Sequence, residues 1–165
     1  WMRWSRVANC IFFMIIVSSF FGCSGVLPKE KVYPFSKAAR VEVISYENRM
    51  EWDVEPDDDL IKDGTLRLDA KKIKERVTLN DNLGQRLYEF LFIEECPTMS
   101  SVSKCYDPRH MVIFYDQEGK VFSYFEICLE CGGAEADFSY NEICNERTDK
   151  LNTIFKEAGI KYFGE

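Results

Sequence analysis

Residues 105–131 hold Cys105, the sole histidine His110, Glu126, Cys128 and Cys131, side chains able to do thiol, metal or acid–base chemistry. The stretch reads CYDPRHMVIFYDQEGKVFSYFEICLEC, two runs rich in Val, Ile, Phe and Tyr around a polar DQEGK. Such runs predict the two strands of a β-hairpin, 111–115 and 121–129, with Gly119 suited to the positive φ of the turn. Setting Asp116 opposite Lys120 places His110 opposite Glu126, Pro108 opposite Cys128 and Cys105 opposite Cys131. In the second strand Val121, Phe125, Ile127 and Leu129 should share one face, and Phe122, Tyr124, Glu126 and Cys128 the other. The thiols, the imidazole and the carboxylate are thus expected together at the hairpin's open end.

Three chemistries fit that cluster. The first is a structural disulfide from Cys105 to Cys128 or Cys131, with a second bridge using Cys96 or Cys144, as small exported domains use cysteine. The second is a metal site in which Cys105, His110, Cys128 and Cys131 hold zinc or copper, although a structural zinc motif ordinarily supplies two ligand knuckles and this chain has one CxxC. The third is thiol–disulfide redox chemistry, which needs a thiolate of lowered pKa, usually at a helix N-terminus. Here Gly132, Gly133, Glu135 and Asp137 follow the CxxC, a poor helix start of the wrong charge. Haem attachment requires a histidine where Gly132 stands. His110 has neither a second histidine nor a serine nucleophile elbow beside it, so a hydrogen-bonded structural role is expected and no catalytic residue is assigned. Arg109 either pairs with the acidic surface or presents its fork to an anion. The acidic run 47–64, with Asp57, Asp58 and Asp59, lacks the alternating ligands, central glycine and closing glutamate of a calcium loop and reads as a solvated loop, with Trp52 as an anchor in it.

The address comes from the start of the chain. Arg3 and Arg6 precede an almost wholly apolar run at 7–21, and Gly22 and Cys23 follow, which is the layout of a signal peptide over 1–22. A membrane-spanning helix needs roughly 20 apolar residues, and this run is shorter. Trp1 precedes Met2, so the start is either Met2 or an upstream residue. The block Phe20-Phe21-Gly22-Cys23-Ser24 resembles the lipobox of bacterial lipoproteins, with Phe20 where an aliphatic residue is usual. The resemblance implies cleavage before Cys23, palmitate-type acylation of its thiol, and membrane attachment at the cell envelope, outer membrane or surface. Loss of 1–22 removes two positive charges and no negative ones, taking the formal charge of −7 down by two to −9. An acidic surface repels phosphate backbones and anionic headgroups, so nucleic acid is a poor partner, membrane attachment is expected from lipid rather than from a basic patch, and an envelope protein is a candidate partner.

The elements that must position the hairpin follow in order. Residues 23–38, with Pro28 and Pro34, read as a lipidated tether, and 39–165 as a single domain. Residues 40–46 alternate as a strand, and 65–68 and 76–79 are short strand candidates separated by Lys71, Lys72 and Lys74. A helix is predicted from Asn80 or Asp81, with Leu83, Leu87, Phe90 and Leu91 as one apolar stripe, ending before Cys96-Pro97. A polar connection, 98–104, leads into the hairpin, and Gly132-Gly133 opens a flexible segment to Cys144. A last helix is predicted from about Asp149, capped by Thr148, with Leu151, Ile154, Phe155 and Ala158 inward and Gly159-Ile160 as its stop. The fold class is α+β: a small antiparallel sheet containing the hairpin, packed against two or more helices. The blocks CYDPRH, VIFYD, EGKVF and EICLEC, within about 79–163, also resemble small lipoproteins of Bacteroidota-type bacteria. That resemblance implies the same address and no activity. The leading expectation is a lipid-anchored, non-enzymatic binding or structural module, with a cysteine-based metal or redox protein as the alternative.

Overall fold

Strand β1 (Arg40–Tyr46) lies between two neighbours, and its residues from Val43 to Tyr46 are buried on both faces rather than one. The computed structural model describes residues 25–47, 49, 60–97 and 106–164. Within them β2 (Ile61–Lys62) and β3 (Thr65–Leu66) form a small hairpin, and β4 (Ile73–Thr78), β5 (His110–Tyr115), β6 (Val121–Ile127) and β7 (Ala134–Ala136) join β1 in one sheet. The sheet is antiparallel throughout, in the order β4-β1-β5-β6-β7. Helices α1 (Asp81–Phe92) and α2 (Asn145–Ala158) cover one face, and the β2–β3 hairpin covers part of the other. The fold is therefore α+β, as the sequence predicts.

Both helices form where apolar spacing and end signals agree. Asn80 caps α1, its side-chain oxygen accepting from the Leu83 N–H at 2.9 Å, and Leu83, Leu87, Phe90 and Leu91 are buried. At the far end of α2, Gly159 takes φ +112° and the Ile160 N–H returns to Phe155 O at 3.0 Å, with Ile160 buried beside the core. The start of α2 is earlier than expected. Cys144, in extended conformation, precedes the first turn, Arg147 and Thr148 donate backbone N–H groups to its carbonyl, and Arg147 lies over the Phe90 ring. Thr148 is inside the helix, donating its hydroxyl to Asn145 O at 2.7 Å, rather than capping it.

The hairpin turn is as predicted: Asp116 Oδ1 accepts the N–H groups of Glu118 and Lys120, and Gly119 has φ +77°. The register beyond it is not. Tyr115 pairs with Val121 but Phe114 pairs with Ser123, so Phe122 is an extra residue in a β-bulge. His110 consequently stands opposite Ile127, and Met111 opposite Glu126. The bulge also sends Val121 into the cluster with Ile113 and Tyr115, while Phe125 and Ile127 stay on the helix side.

Two segments read as irregular are ordered. Residues 134–136, in the stretch after Gly132-Gly133, form edge strand β7 beside β6. Much of the stretch read as a tether is packed on the domain: Phe35 is buried against Tyr88, Phe92 and Phe114, with ring centroids 5.2–6.1 Å away, and the Tyr88 hydroxyl donates to Leu27 O. Proline content alone points to an extended chain, but the aromatic at 35 has a pocket of three rings to fill.

Candidate functional site: the open end of the hairpin

The chemistry-bearing residues do converge at one end of the sheet, yet strand parity divides them between its two faces. On the helix side Ser45, His110 and Ile127 stand in one row across β1, β5 and β6, with Glu75 of β4 opposite Ser45. Ser45 Oγ donates to Glu75 Oε2 at 2.9 Å. The same carboxylate accepts the backbone N–H of Lys161 at 2.9 Å and of Tyr162 at 3.0 Å. His110 Nε2 lies 2.9 Å from Tyr162 O, and because a carbonyl only accepts, Nε2 carries the proton. Phe155 and Phe163 flank the imidazole at 5.6 and 4.9 Å between centroids. Glu75 and His110 thus clip the chain after α2 across the end of the sheet.

The electrostatics fit that structural role. Burial drives the His110 pKa down to about 4 against the opposing pull of the Tyr162 carbonyl and Glu75, and Arg109 lowers it further. The ring is a neutral donor at physiological pH. Burial pushes the Glu75 carboxyl up, but the Tyr162 and Lys161 N–H groups and the Ser45 hydroxyl outweigh it and hold it below the usual carboxylate range.

On the opposite face Glu126 is 0% exposed. Its Oε1 accepts from the Tyr46 hydroxyl, and its Oε2 accepts from the Arg49 guanidinium and from the Tyr106 hydroxyl at 2.8 Å. Tyr46 lies on this face by ordinary alternation, two residues on from Ile44, which stands in one row with Met111 and Glu126. Burial lifts the Glu126 carboxyl above its ordinary value, exceeding the lowering by Arg49 and the two phenols. Burial, and then the Glu126 charge, push both phenols well above theirs, so they remain donors. Arg49 keeps its charge, since the carboxylate and phenols outweigh its own desolvation. Three donors converge on one carboxylate with no oxygen facing solvent, an arrangement that fixes chain segments in place. Sequence reading missed Tyr46, Arg49, Tyr106 and Glu75. The one available signal was Glu126 itself, a carboxylate within VFSYFEI that requires buried partners.

The thiols pair differently from expectation. Cys128 is bonded to Cys131, with Cα atoms 5.6 Å apart, and Cys96 to Cys144 at 5.9 Å. The expected bridge from Cys105 to Cys128 or Cys131 is therefore replaced by a bond between those two, and Cys105 itself lies outside the described residues, as do Cys23, Trp52 and the Asp57–Asp59 run. The CxxC closes the turn from β6 to β7, where Cys128 N–H donates to Gly133 O and Gly132 N–H to Cys128 O, so it opens no helix. Cys96–Cys144 ties the chain beyond α1 to the cap of α2, alongside Asn141, which donates to Leu91 O and Glu94 O. For the expected zinc or copper set, two sulfurs are bonded to each other and His110 Nε2 is engaged by Tyr162. Among the described residues no three His, Cys, Asp or Glu side chains are grouped to hold a metal.

His110 and Cys128 do border one crevice, with Arg109, Glu130 and Phe163, but its volume of about 10 Å³ is room for a single water. The Arg109 fork is occupied, by Asp107 at 3.1 Å and Glu130 at 3.2 Å. Glu126 belongs to the other side of the sheet, so His110 and Glu126 do not form the pair that the expected register implied. No helix among the described residues is long and apolar enough to cross a membrane. No family model, no curated protein and no solved structure matches this chain.

Proposed function

We propose that the chain is an exported protein of the bacterial envelope or surface, held to the membrane by lipid on Cys23, whose folded part is a non-enzymatic binding or structural module. The observation that carries this reading is the state of the described cysteines: Cys96, Cys128, Cys131 and Cys144 are all in disulfides, as befits an oxidising compartment. The non-enzymatic part is supported by the occupation of the reactive groups, since Glu126, His110 and Glu75 each hold a chain segment in place. Replacing Cys23 with Ser tests the anchor. Acylation and membrane fractionation should both be lost, and unchanged fractionation refutes it.

A second reading, thiol–disulfide redox chemistry, is favoured by the bond within the CxxC. Cys128 and Cys131 are 3% and 6% exposed, which argues for a structural bond. Titration against thiol buffers decides between the two. A structural bond stays oxidised to potentials below about −300 mV, and an exchanging one is reduced near −180 to −230 mV.

A further inference from the structure

The exposed large apolar side chains among the described residues are Val26 and Leu27, each 55% exposed, and Tyr33, 38% exposed. All three fall within eight residues at the start of the described chain. They belong to a segment the domain holds firmly. Tyr88 donates to Leu27 O, Lys31 N–H returns to Pro28 O at 2.9 Å and Ser36 N–H to Val32 O at 2.9 Å, and Tyr33 packs its ring on Phe122 and Phe138. Within the segment Pro34 and Phe35 are buried and Val32 and Ala38 are partly buried against the core, while Val26, Leu27 and Tyr33 face solvent. The same segment carries Lys29, Lys31 and Lys37 against one acid, Glu30, a local excess of positive charge on a chain whose formal charge is −7.

We infer that the surface formed by Val26, Leu27 and Tyr33, bordered by Lys29, Lys31 and Lys37, rests on an anionic lipid bilayer and holds the folded domain in one orientation against it. The inference rests on the lipid-anchor reading and deepens it. Three residues span at most about 11 Å, so an acylated Cys23 keeps Val26 within that distance of the interface. An interfacial layer is itself about 5–8 Å thick on each side of the hydrocarbon, so Val26 and Leu27 lie in or next to it. Because Leu27 is fastened to α1 through Tyr88, the domain follows the segment to the membrane and does not swing on a leash. Apolar side chains enter the acyl boundary while lysines meet anionic headgroups, which is how interfacial segments add a second attachment to a lipid chain.

The full chain, expressed in a host that processes lipoproteins, supplies the test. Acylation of Cys23 is first read from the mass of the N-terminal peptide. In a Trp52→Phe background, a single Tyr33→Trp reporter is compared with Glu130→Trp, which follows the far end of β6 from the Phe122 that Tyr33 touches. Both proteins go into phosphatidylglycerol-containing vesicles with brominated lipid. Quenching at position 33 at least twofold greater than at 130 is expected. It should fall when Lys29, Lys31 and Lys37 are all changed to Glu, with the far-ultraviolet spectrum unchanged. Equal quenching at the two positions, or none at 33, in protein whose Cys23 is acylated, overturns the orientation alone. An unacylated Cys23 overturns the anchor reading together with it. Protection of Tyr33 by a protein in cells but not by vesicles overturns the lipid assignment and gives the face to a protein partner.

Discussion

Protonation of His110 should loosen the chain beyond α2. The imidazole donates through Nε2 to Tyr162 O, between the Phe155 and Phe163 rings, and its folded pKa is near 4 where an ordinary histidine has 6.5. The sign follows from proton binding: between those values the unfolded chain takes up a proton that the folded chain refuses, so stability present above pH 6.5 is lost as the pH falls toward 4. Each pH unit in that window costs about 1.4 kcal/mol, so the loss reaches about 3 kcal/mol at pH 4. Urea unfolding at pH 7.5 and 4.5 measures it, with His110→Gln as the reference that keeps a donor and cannot charge. The native protein should lose about 2.5 kcal/mol more than the variant between the two pH values, a midpoint shift of about 1 M urea. Glu75 and the other carboxylates titrate in both proteins and cancel in the difference. Equal losses in the two proteins would refute the buried neutral donor. So would protection factors for the Lys161 and Tyr162 amides, corrected for the intrinsic pH dependence of exchange, that do not fall at pH 4.5.

The other expectations concern the pins and crosslinks. Opening Cys96–Cys144 with paired serines should destabilise the fold by about 4 kcal/mol, since the bond closes a separation of 48 residues, and opening Cys128–Cys131, a separation of 3, by about 2 kcal/mol; chemical unfolding of the two double variants ranks them. Glu126→Gln leaves the Arg49 charge and two phenols facing a single acceptor, and a loss of about 3–5 kcal/mol is expected in the same assay, with Arg49→Met in the Gln background recovering part of it. Asn80→Ala removes the acceptor for Leu83 N–H and should cost about 1 kcal/mol, read from the thermal midpoint.

Local signals and observed elements agree where one turn or one stripe decides the outcome. The β1 span, the Asn80 cap, the α1 stripe, the Asp116–Lys120 turn and the Gly159 stop each depend on residues within a few positions of one another. What escaped depends on partners outside the segment itself, some of them far along the chain. Strand β7 is three residues whose pairing comes from β6, and the start of α2 is set by Cys144, tied to Cys96 across 48 residues. The segment around Phe35 looks like a linker until Tyr88, Phe92 and Phe114 supply its pocket. The candidate site was legible as a location and not as an arrangement, because a single bulged residue decides which side chains share a face.

That residue is Phe122, and its effect reaches to the far end of the hairpin. With the register set from the turn, His110 and Glu126 stand side by side on one face, a pairing that invites acid–base chemistry. One inserted residue moves Glu126 opposite Met111 and His110 opposite Ile127. Because strand side chains alternate, the slip sends the imidazole and the carboxylate to opposite sides of the sheet. Each then finds a separate buried partner set: the Tyr162 carbonyl with two phenylalanine rings for His110, and Arg49 with Tyr46 and Tyr106 for Glu126. Both groups are buried, His110 at 2% and Glu126 at 0% exposure. The Cys128–Cys131 bond closes the adjoining turn, so the same end of the sheet is fastened from the C-terminal tail, from the segment at Arg49 and Tyr106, and from the β6–β7 connection. The exposed apolar residues Val26, Leu27 and Tyr33 lie toward the other end of β6, where Phe122 itself supports the Tyr33 ring.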